Sequence, residues 1–298
     1  MANQRENAKQ KAQQALIEDI LRAYTRCKCV RLVNRGNAAI LCALVMVQEL
    51  SRKATKAGRQ SSNTRNVILV PDQGGWISFE TYPPLLGFEV ELVKTNRGII
   101  DITNLEEKSK SAAALIVTSF AGYFAEQPIA EIAGVCHKNG CLIIEDASGS
   151  LGDAVLCDGR VVDIIVGSFG NHKPVNNGYG GFVATNNKEL FDIGSIVFSM
   201  TNFYPDYAYL LEKLKEAPAR IAFFFEKQAA VKHDIKKLDV EIIHPALRGL
   251  NVAVKPKNSN DRKRILEYCK KEEFETVQCP KYIRVNEEAV CIELKRLP

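Results

Sequence analysis

Long apolar runs are missing from this sequence. No window approaches the roughly 18 consecutive apolar residues that a membrane-spanning helix needs, and the opening stretch MANQRENAKQKAQQALIEDILRAY lacks the apolar core of a secretory leader. A cytoplasmic protein with no membrane partner is expected. Blocks of basic residues and alternation of arginine with aromatics are missing too. The net charge of +5 comes from 40 Lys and Arg against 35 Asp and Glu scattered along 298 residues, which argues against a nucleic-acid partner. There is no P-loop and no G-x-G-x-x-G between a strand and a helix, so nucleotide binding of those two kinds is not expected. Repeats and low-complexity tracts do not occur. Disulfide spacing is absent as well: several of the nine cysteines sit inside apolar segments such as AILCALVMV and AVCIEL, where a free cysteine behaves as a small hydrophobe, as suits a reducing compartment. Cys27, Cys29, Cys136, His137 and Cys141 invite a metal reading. Yet Cys136 and His137 fall at the end of a helical pattern and Cys141 opens a strand, so nothing forces them onto one face and no metal is expected.

What is present is ordinary globular composition, 46% hydrophobic and 25% charged, enough for a large core with a smaller unit beside it. Residues 6–24 carry a helical stripe through Leu16, Ile17, Ile20 and Leu21. Strand CVRLV then leads into NRGNAAILCALVMVQEL, a turn feeding a buried helix, and KAGRQSSNTRN reads as a loop. Beyond it come strand VILV, a helix near ISFETYPPLLG, strands VELV and ALIVTSF, helix QPIAEIAGVCHKN, and strands CLIIED, IIVGSF and GFVAT. Short strands rich in Val and Ile, several separated by helices, predict an α/β architecture with a mostly parallel sheet covered on both faces. After Lys188 the pattern gives helices KELFDIGSIVFSM, PDYAYLLEKLKEA and ARIAFFFEKQAAVKHDIKKL. A small α+β lobe follows, built from LNVAVKP, DRKRILEYCKKEEF, ETVQC and AVCIELKRL. The expected division is a large domain over 1–203, a helical connector over 204–240 and a small C-terminal domain over 241–298.

Four short stretches carry candidate chemistry. In LIIEDASGS, Asp146 follows an apolar strand, at the carboxyl end where open α/β sheets bind ligands; alone, it reads equally as a helix cap or a structural carboxylate. In SFGNHK, Ser168 closes another strand and Lys173 follows in a loop tightened by Gly178, Gly180 and Gly181. A lysine there is either a solvated loop residue or an amine kept for Schiff-base chemistry. His172 beside it reads as a loop residue rather than an auxiliary base. In NRGNAAILCAL, Gly36 and Asn37 stand where a turn becomes a helix, a place for a phosphate or for a plain N-cap. In PDQGGWISF the only tryptophan, Trp76, follows a strand end, where it would lie flat on an aromatic ligand or belong to the core.

In this order the four stretches resemble the DegT-like sugar aminotransferases, pyridoxal-phosphate (PLP) enzymes of fold type I. The family's Asn-Ser-Gly-Thr-Ala-Ala turn is matched by NRGNAA from Asn34 to Ala39 and its Glu-Asp-Ala-Ala-Gln by EDASG. Its Ser-Phe-x-x-x-Lys…Gly-x-Gly-Gly is matched by SFGNHK…GYGG. The resemblance runs from about Val30 to Leu190 and thins from about Asn202. It implies a PLP-dependent transferase fold and an amino donor, a keto or keto-sugar acceptor and a homodimer, with Tyr179 or its neighbours reaching the other chain. It further implies that Lys173 forms the internal aldimine and moves the proton, that Asp146 pairs with the pyridinium nitrogen, that Trp76 stacks on the ring, and that Gly36, Asn37 and Ser168 hold the phosphate. Arg35 would stand near an acidic substrate group. Gly149 replaces the family's Gln, and SFAG from Ser119 to Gly122 replaces its His-Leu-Tyr-Gly. Alternatives are another PLP activity (lyase, desulfurase or tRNA-dependent amino-acid modification), or a regulator that keeps the fold without catalysis.

Overall fold

A computed structural model describes residues 2–56 and 65–298, with side chains from residue 9 to 53 and from 65 onward. Most of the loop expected over KAGRQSSNTRN lies outside the described residues. Seven strands build the main sheet: β1 (Cys29–Val33), β2 (Val67–Pro71), β3 (Glu89–Val93), β4 (Ala114–Thr118), β5 (Leu142–Asp146), β6 (Ile164–Ser168) and β7 (Gly181–Thr185). Their order is β1-β7-β6-β5-β4-β2-β3. Only β7 runs against its neighbours; the contacts from β6 through to β3 are parallel.

Because successive strand residues face opposite sides, the apolar strands feed two cores. Ile68, Val70, Ile116, Ile144, Ile164, Val166 and Val183 pack on one face with the buried residues of α2 (Gly36–Lys56) and α6 (Lys188–Phe198). Leu69, Leu115, Val117, Ile143, Ile165, Phe182 and Ala184 face the other way, under α1 (Ala2–Thr25), α5 (Ile129–Lys138) and α7 (Tyr207–Lys236). This is the three-layer α/β arrangement expected of buried parallel strands. The helix expected near ISFETYPPLLG is split into α3 (Ile77–Thr81) and a 3₁₀ turn, Pro83–Leu86, since proline has no N–H to continue the ladder. Helix α4 (Ile102–Lys108), with Asp101 as its cap accepting from the Asn104 N–H at 3.1 Å, was not foreseen.

The two helices expected after Asn202 are one. Helix α7 runs unbroken for 30 residues through Pro218. Proline at 218 withholds the N–H that the Leu214 carbonyl would accept four residues earlier. The Tyr24 hydroxyl, from α1, donates to that carbonyl at 2.9 Å instead, so a tertiary contact lets the helix continue.

The C-terminal lobe is an antiparallel sheet of β8 (Glu241–Ile242), β9 (Val252–Lys255), β10 (Thr276–Cys279) and β11 (Ala289–Ile292) in the order β8-β9-β11-β10, packed with α8 (Ser259–Lys271). It is stitched to the loop that carries Trp76. Gly74 N–H donates to the Tyr282 carbonyl at 2.7 Å, and Asn286 donates from N–H to Gln73 Oε1 at 2.9 Å and from Nδ2 to the Asp72 carbonyl at 3.0 Å. Among the described residues no helix is long and apolar enough to cross a membrane.

Candidate active site

The carboxyl ends of β5 and β6, the start of α2 and the edge of the C-terminal lobe enclose a cavity of about 400 Å³. All six residues singled out from the sequence, Gly36, Asn37, Trp76, Asp146, Ser168 and Lys173, line it. Four stretches far apart in the chain therefore converge because each ends an element of one sheet.

The first turn of α2 comes against β6 so closely that a Cβ on Gly36 would sit 2.6 Å from the Ser168 Cβ. Only glycine permits that approach. Arg35 forms a parallel bridge with Gly180, tying the turn to the glycine-rich tail after Lys173. A helix opening toward a cavity aims backbone N–H groups and the positive end of its dipole into it. Asn37 Oδ1 accepts from Trp76 Nε1 at 2.9 Å, which fixes the half-buried indole. Trp76 thus lies at the cavity wall, packed at the margin of the core.

Ser148 links the acid to the serine. Its N–H donates to Asp146 Oδ1 at 2.9 Å, and its Oγ accepts from the Ser168 N–H at 2.9 Å. Asp146 is buried and faces the cavity, whereas the neighbouring Glu145 does not line it. Glu145 points to the opposite side of the strand, where Oε1 accepts from Ser119 Oγ at 2.6 Å and Oε2 has no partner among the described residues. Burial pushes its carboxyl up to about 7.

Lys173 leaves a loop closed by Phe169 N–H to the Gly180 carbonyl at 2.9 Å and Asn177 N–H to the Phe169 carbonyl at 2.8 Å. Its half-buried Nζ donates to the Tyr123 hydroxyl and stands 4.5 Å from the centroid of that ring and 5.8 Å from that of Trp76. Its neighbour His172 has φ +61° and an exposed side chain. Partial burial, and then the charges of Lys295 and Arg296, hold its imidazole below the usual value.

Tyr123 and Ser148 were not singled out from the sequence, nor were Arg284, Lys295 and Arg296 from the C-terminal lobe. Arg284, 3% exposed, binds Glu293, 1% exposed, through two hydrogen bonds of 2.7 Å, from Nε to Oε1 and from Nη2 to Oε2. Burial opposes both charges, but the paired bonds outweigh it, leaving the guanidinium above and the carboxyl below their ordinary values. Burial, and then the charge of Lys173, push Lys295 down to about 7. The one signal of this cluster in the sequence is CIELKRL, where charges continue an otherwise buried strand. Gly149 has a structural counterpart: a Cβ there would stand 3.1 Å from Tyr123 Cε1, so the Tyr123 ring occupies the adjoining space.

The residues fit a phosphorylated aromatic aldehyde. A glycine-backed helix start suits the phosphate, an indole wall suits a flat ring, a buried carboxylate suits a ring cation, and an amine suits the aldehyde.

Comparison with known proteins gives three kinds of match. The model of the DegT/DnrJ/EryC1/StrS aminotransferase family matches residues 12–201, and that of the MJ1341 family C-terminal domain matches 223–298. UDP-4-amino-4,6-dideoxy-N-acetyl-beta-L-altrosamine transaminase of Campylobacter jejuni is 33% identical over 115 residues, 36% of this chain and 30% of that protein. The Pyrococcus abyssi protein named "Probable glycine dehydrogenase (decarboxylating) subunit 1" is 36% identical over 121 residues, 37% of this chain and 26% of that protein. The chain therefore matches under a third of the length of these curated relatives. Among solved structures, the Helicobacter pylori aminotransferase PseC superposes with a TM-score of 0.71 at 18% identity, covering 94% of this chain and 85% of that one. That likeness establishes the fold as the fold type I arrangement.

Proposed function

The chain belongs to the DegT/DnrJ/EryC1/StrS aminotransferase family, and we propose that it is a PLP-dependent aminotransferase that moves an amino group from a donor to a keto or keto-sugar acceptor. The observation that carries the reading is the convergence of Lys173, Asp146, Trp76 and the Gly36–Ser168 contact on one cavity. When bound, PLP supplies an aldehyde for amines and a ring that accepts electrons from the substrate carbon. Lys173 Nζ would hold the aldehyde and move the proton at the reacting carbon. The carboxylate of Asp146, oriented by the Ser148 N–H, keeps a ring nitrogen protonated. Trp76, at the cavity wall, would be the surface for the ring to stack on. Gly36, Asn37 and Ser168 receive the phosphate at the start of α2.

The proposal extends to a homodimer. Tyr179 lines the cavity and donates from its hydroxyl to the Tyr204 carbonyl at 3.0 Å, and both tyrosines are exposed, leaving aromatic surface beside the cavity. It also keeps the division into 1–203, 204–240 and 241–298, and a cytoplasmic location. A second reading, decarboxylation of an amino acid at the same cofactor, is favoured by the match to the glycine dehydrogenase subunit.

The test is spectroscopic. Protein reconstituted with PLP should show a visible band that Lys173→Ala abolishes, and an amino donor should bleach it until a keto acid restores it. Carbon dioxide release without restoration would favour the second reading. No band in the unaltered protein would refute both.

A further inference from the structure

The hydroxyl of Tyr123 is the hydrogen-bond acceptor of Lys173 Nζ among the described residues. Its ring is half-buried at the cavity wall, and cations stand about it: Lys173 Nζ at 4.5 Å, Lys295 Nζ at 4.7 Å and the Arg284 guanidinium carbon at 5.5 Å from the ring centroid. Cations over an aromatic face are attracted to it and hold the ring in place. On another side the ring meets Gly149, where a Cβ would stand 3.1 Å from Tyr123 Cε1. A ring so enclosed keeps its hydroxyl at one spot.

Lys173 brings the opposite property. Its amine rides on a flexible four-carbon stem, and the stem leaves a loop rather than a strand or a helix. Left to itself, such an amine points in many directions. Proton transfer, however, requires the nitrogen lone pair to be aimed at the reacting carbon, and a small misplacement is enough to slow it steeply. One N–H committed to a fixed oxygen removes most of that freedom.

We propose that Tyr123 is a positioning residue for the proton transfer: its hydroxyl oxygen holds one N–H of Lys173, so that the lone pair of Nζ faces the carbon that gives up its proton. In that step the substrate C–H bond breaks, the proton bonds to Nζ, and the electron pair passes toward the ring that the cofactor supplies. Nζ then returns the proton at the neighbouring carbon, the one that carried the aldehyde. The N–H held by Tyr123 is not transferred, and Tyr123 neither gains nor loses a proton. The inference rests on the aminotransferase reading and adds to it a residue outside the four motifs.

The experiment compares the PLP-loaded protein with Tyr123→Phe, which keeps the ring and removes only the hydroxyl. L-amino acids that bleach the visible band are mixed rapidly with each protein, first with hydrogen and then with deuterium on the α-carbon. A misaimed amine should slow bleaching at saturating donor by about thirtyfold, while the half-saturating donor concentration and the PLP affinity change by less than about twofold. The deuterium isotope effect should rise, because the transfer itself becomes the slow step. Gly149→Ala is the second variant. It keeps the hydroxyl but crowds the ring that carries it, so it should slow bleaching by about threefold with a rise in the same isotope effect.

An unchanged rate in Tyr123→Phe would overturn the proposal. So would a slower rate with an unchanged isotope effect, or a loss confined to donor or PLP affinity, which would make Tyr123 a binding residue. Should Tyr123→Phe not fold, Gly149→Ala decides by the same two readings. Should the unaltered protein give no band, or no donor bleach it, the aminotransferase reading is what fails, and the contact is then decided without cofactor. Lysines are methylated with isotope-labelled formaldehyde and a borohydride, and the Lys173 resonance is assigned with Lys173→Arg. A Lys173 resonance that Tyr123→Phe moves to the position of free lysines supports the positioning role, and one that stays where it is overturns it.

Discussion

Arg284→Met isolates the strongest electrostatic commitment at the edge of the cavity. The guanidinium and Glu293 are almost fully buried and joined by two hydrogen bonds of 2.7 Å. Removing one partner of a buried pair costs about 3–5 kcal/mol because the other charge is left behind. Glu293 would keep a hydrogen bond from Asn251 Nδ2 at 3.2 Å, with Arg296 Nε at 3.5 Å and Lys295 Nζ at 3.8 Å. The loss should therefore fall at the lower end, about 3 kcal/mol. Replacing both, as Arg284→Met with Glu293→Leu, removes the orphaned charge and should recover all but about 1 kcal/mol. Urea unfolding, compared at unchanged slope, measures both.

The pH dependence checks the sign. In the unaltered protein the Glu293 carboxyl is held below its ordinary value, so its stabilisation is present above about pH 4.3 and is lost as pH falls through the folded value. Without Arg284, burial lifts the carboxyl above its unfolded value. The variant then loses least at acid pH, and the gap between variant and parent should narrow from pH 7 to 5. A single-variant cost below about 1 kcal/mol, or a double variant no better than the single one, would refute this account.

Two further outcomes are expected. Gly36→Ala places a Cβ 2.6 Å from that of Ser168; the displaced helix start should weaken PLP binding about tenfold at a stability cost of about 1–3 kcal/mol, read by titrating the visible band, and unchanged affinity would remove Gly36 from the phosphate site. Tyr24→Phe leaves the Leu214 carbonyl without the donor that Pro218 cannot supply; thermal or urea unfolding should show a loss of about 1–3 kcal/mol, and Tyr24→Phe combined with Pro218→Ala should recover part of it.

The sheet was legible because its strands are apolar on both faces, so VILV, ALIVTSF, CLIIED and GFVAT could hardly be anything but buried. The run of α7 through Pro218 was not legible. It depends on a hydroxyl 190 positions away in the chain, and local pattern alone argues for a break at proline. Helix α4 escaped notice because seven residues are too few to display a helical period. At the cavity the same contrast holds. Gly36, Asp146, Ser168 and Lys173 could be picked out because each is fixed by its own element: a glycine where a helix starts, an acid or serine where a strand ends, a lysine in a glycine-bounded loop. Arg284 and Lys295 carry no such local mark, since their placement follows from where the small sheet docks on residues 72–74.

Tyr123 joins these two halves. Its backbone sits at φ +68°, after Gly122 at +52°, a conformation that costs energy for a tyrosine and persists only where surroundings enforce it. The enforcement comes from the small lobe and its approach. Leu250 N–H donates to the Tyr123 carbonyl at 2.7 Å, and a Cβ on Gly122 would stand 2.9 Å from the Arg284 Cα. The ring so placed fills the space beside Gly149 and offers its hydroxyl to Lys173. A bulky side chain at 149, where the resemblance has glutamine, would have to displace the ring that receives the lysine. Lys173 is thus aimed by a residue that the C-terminal lobe holds in place, and a disturbance of the lobe should reach the lysine through Tyr123 without touching any motif residue.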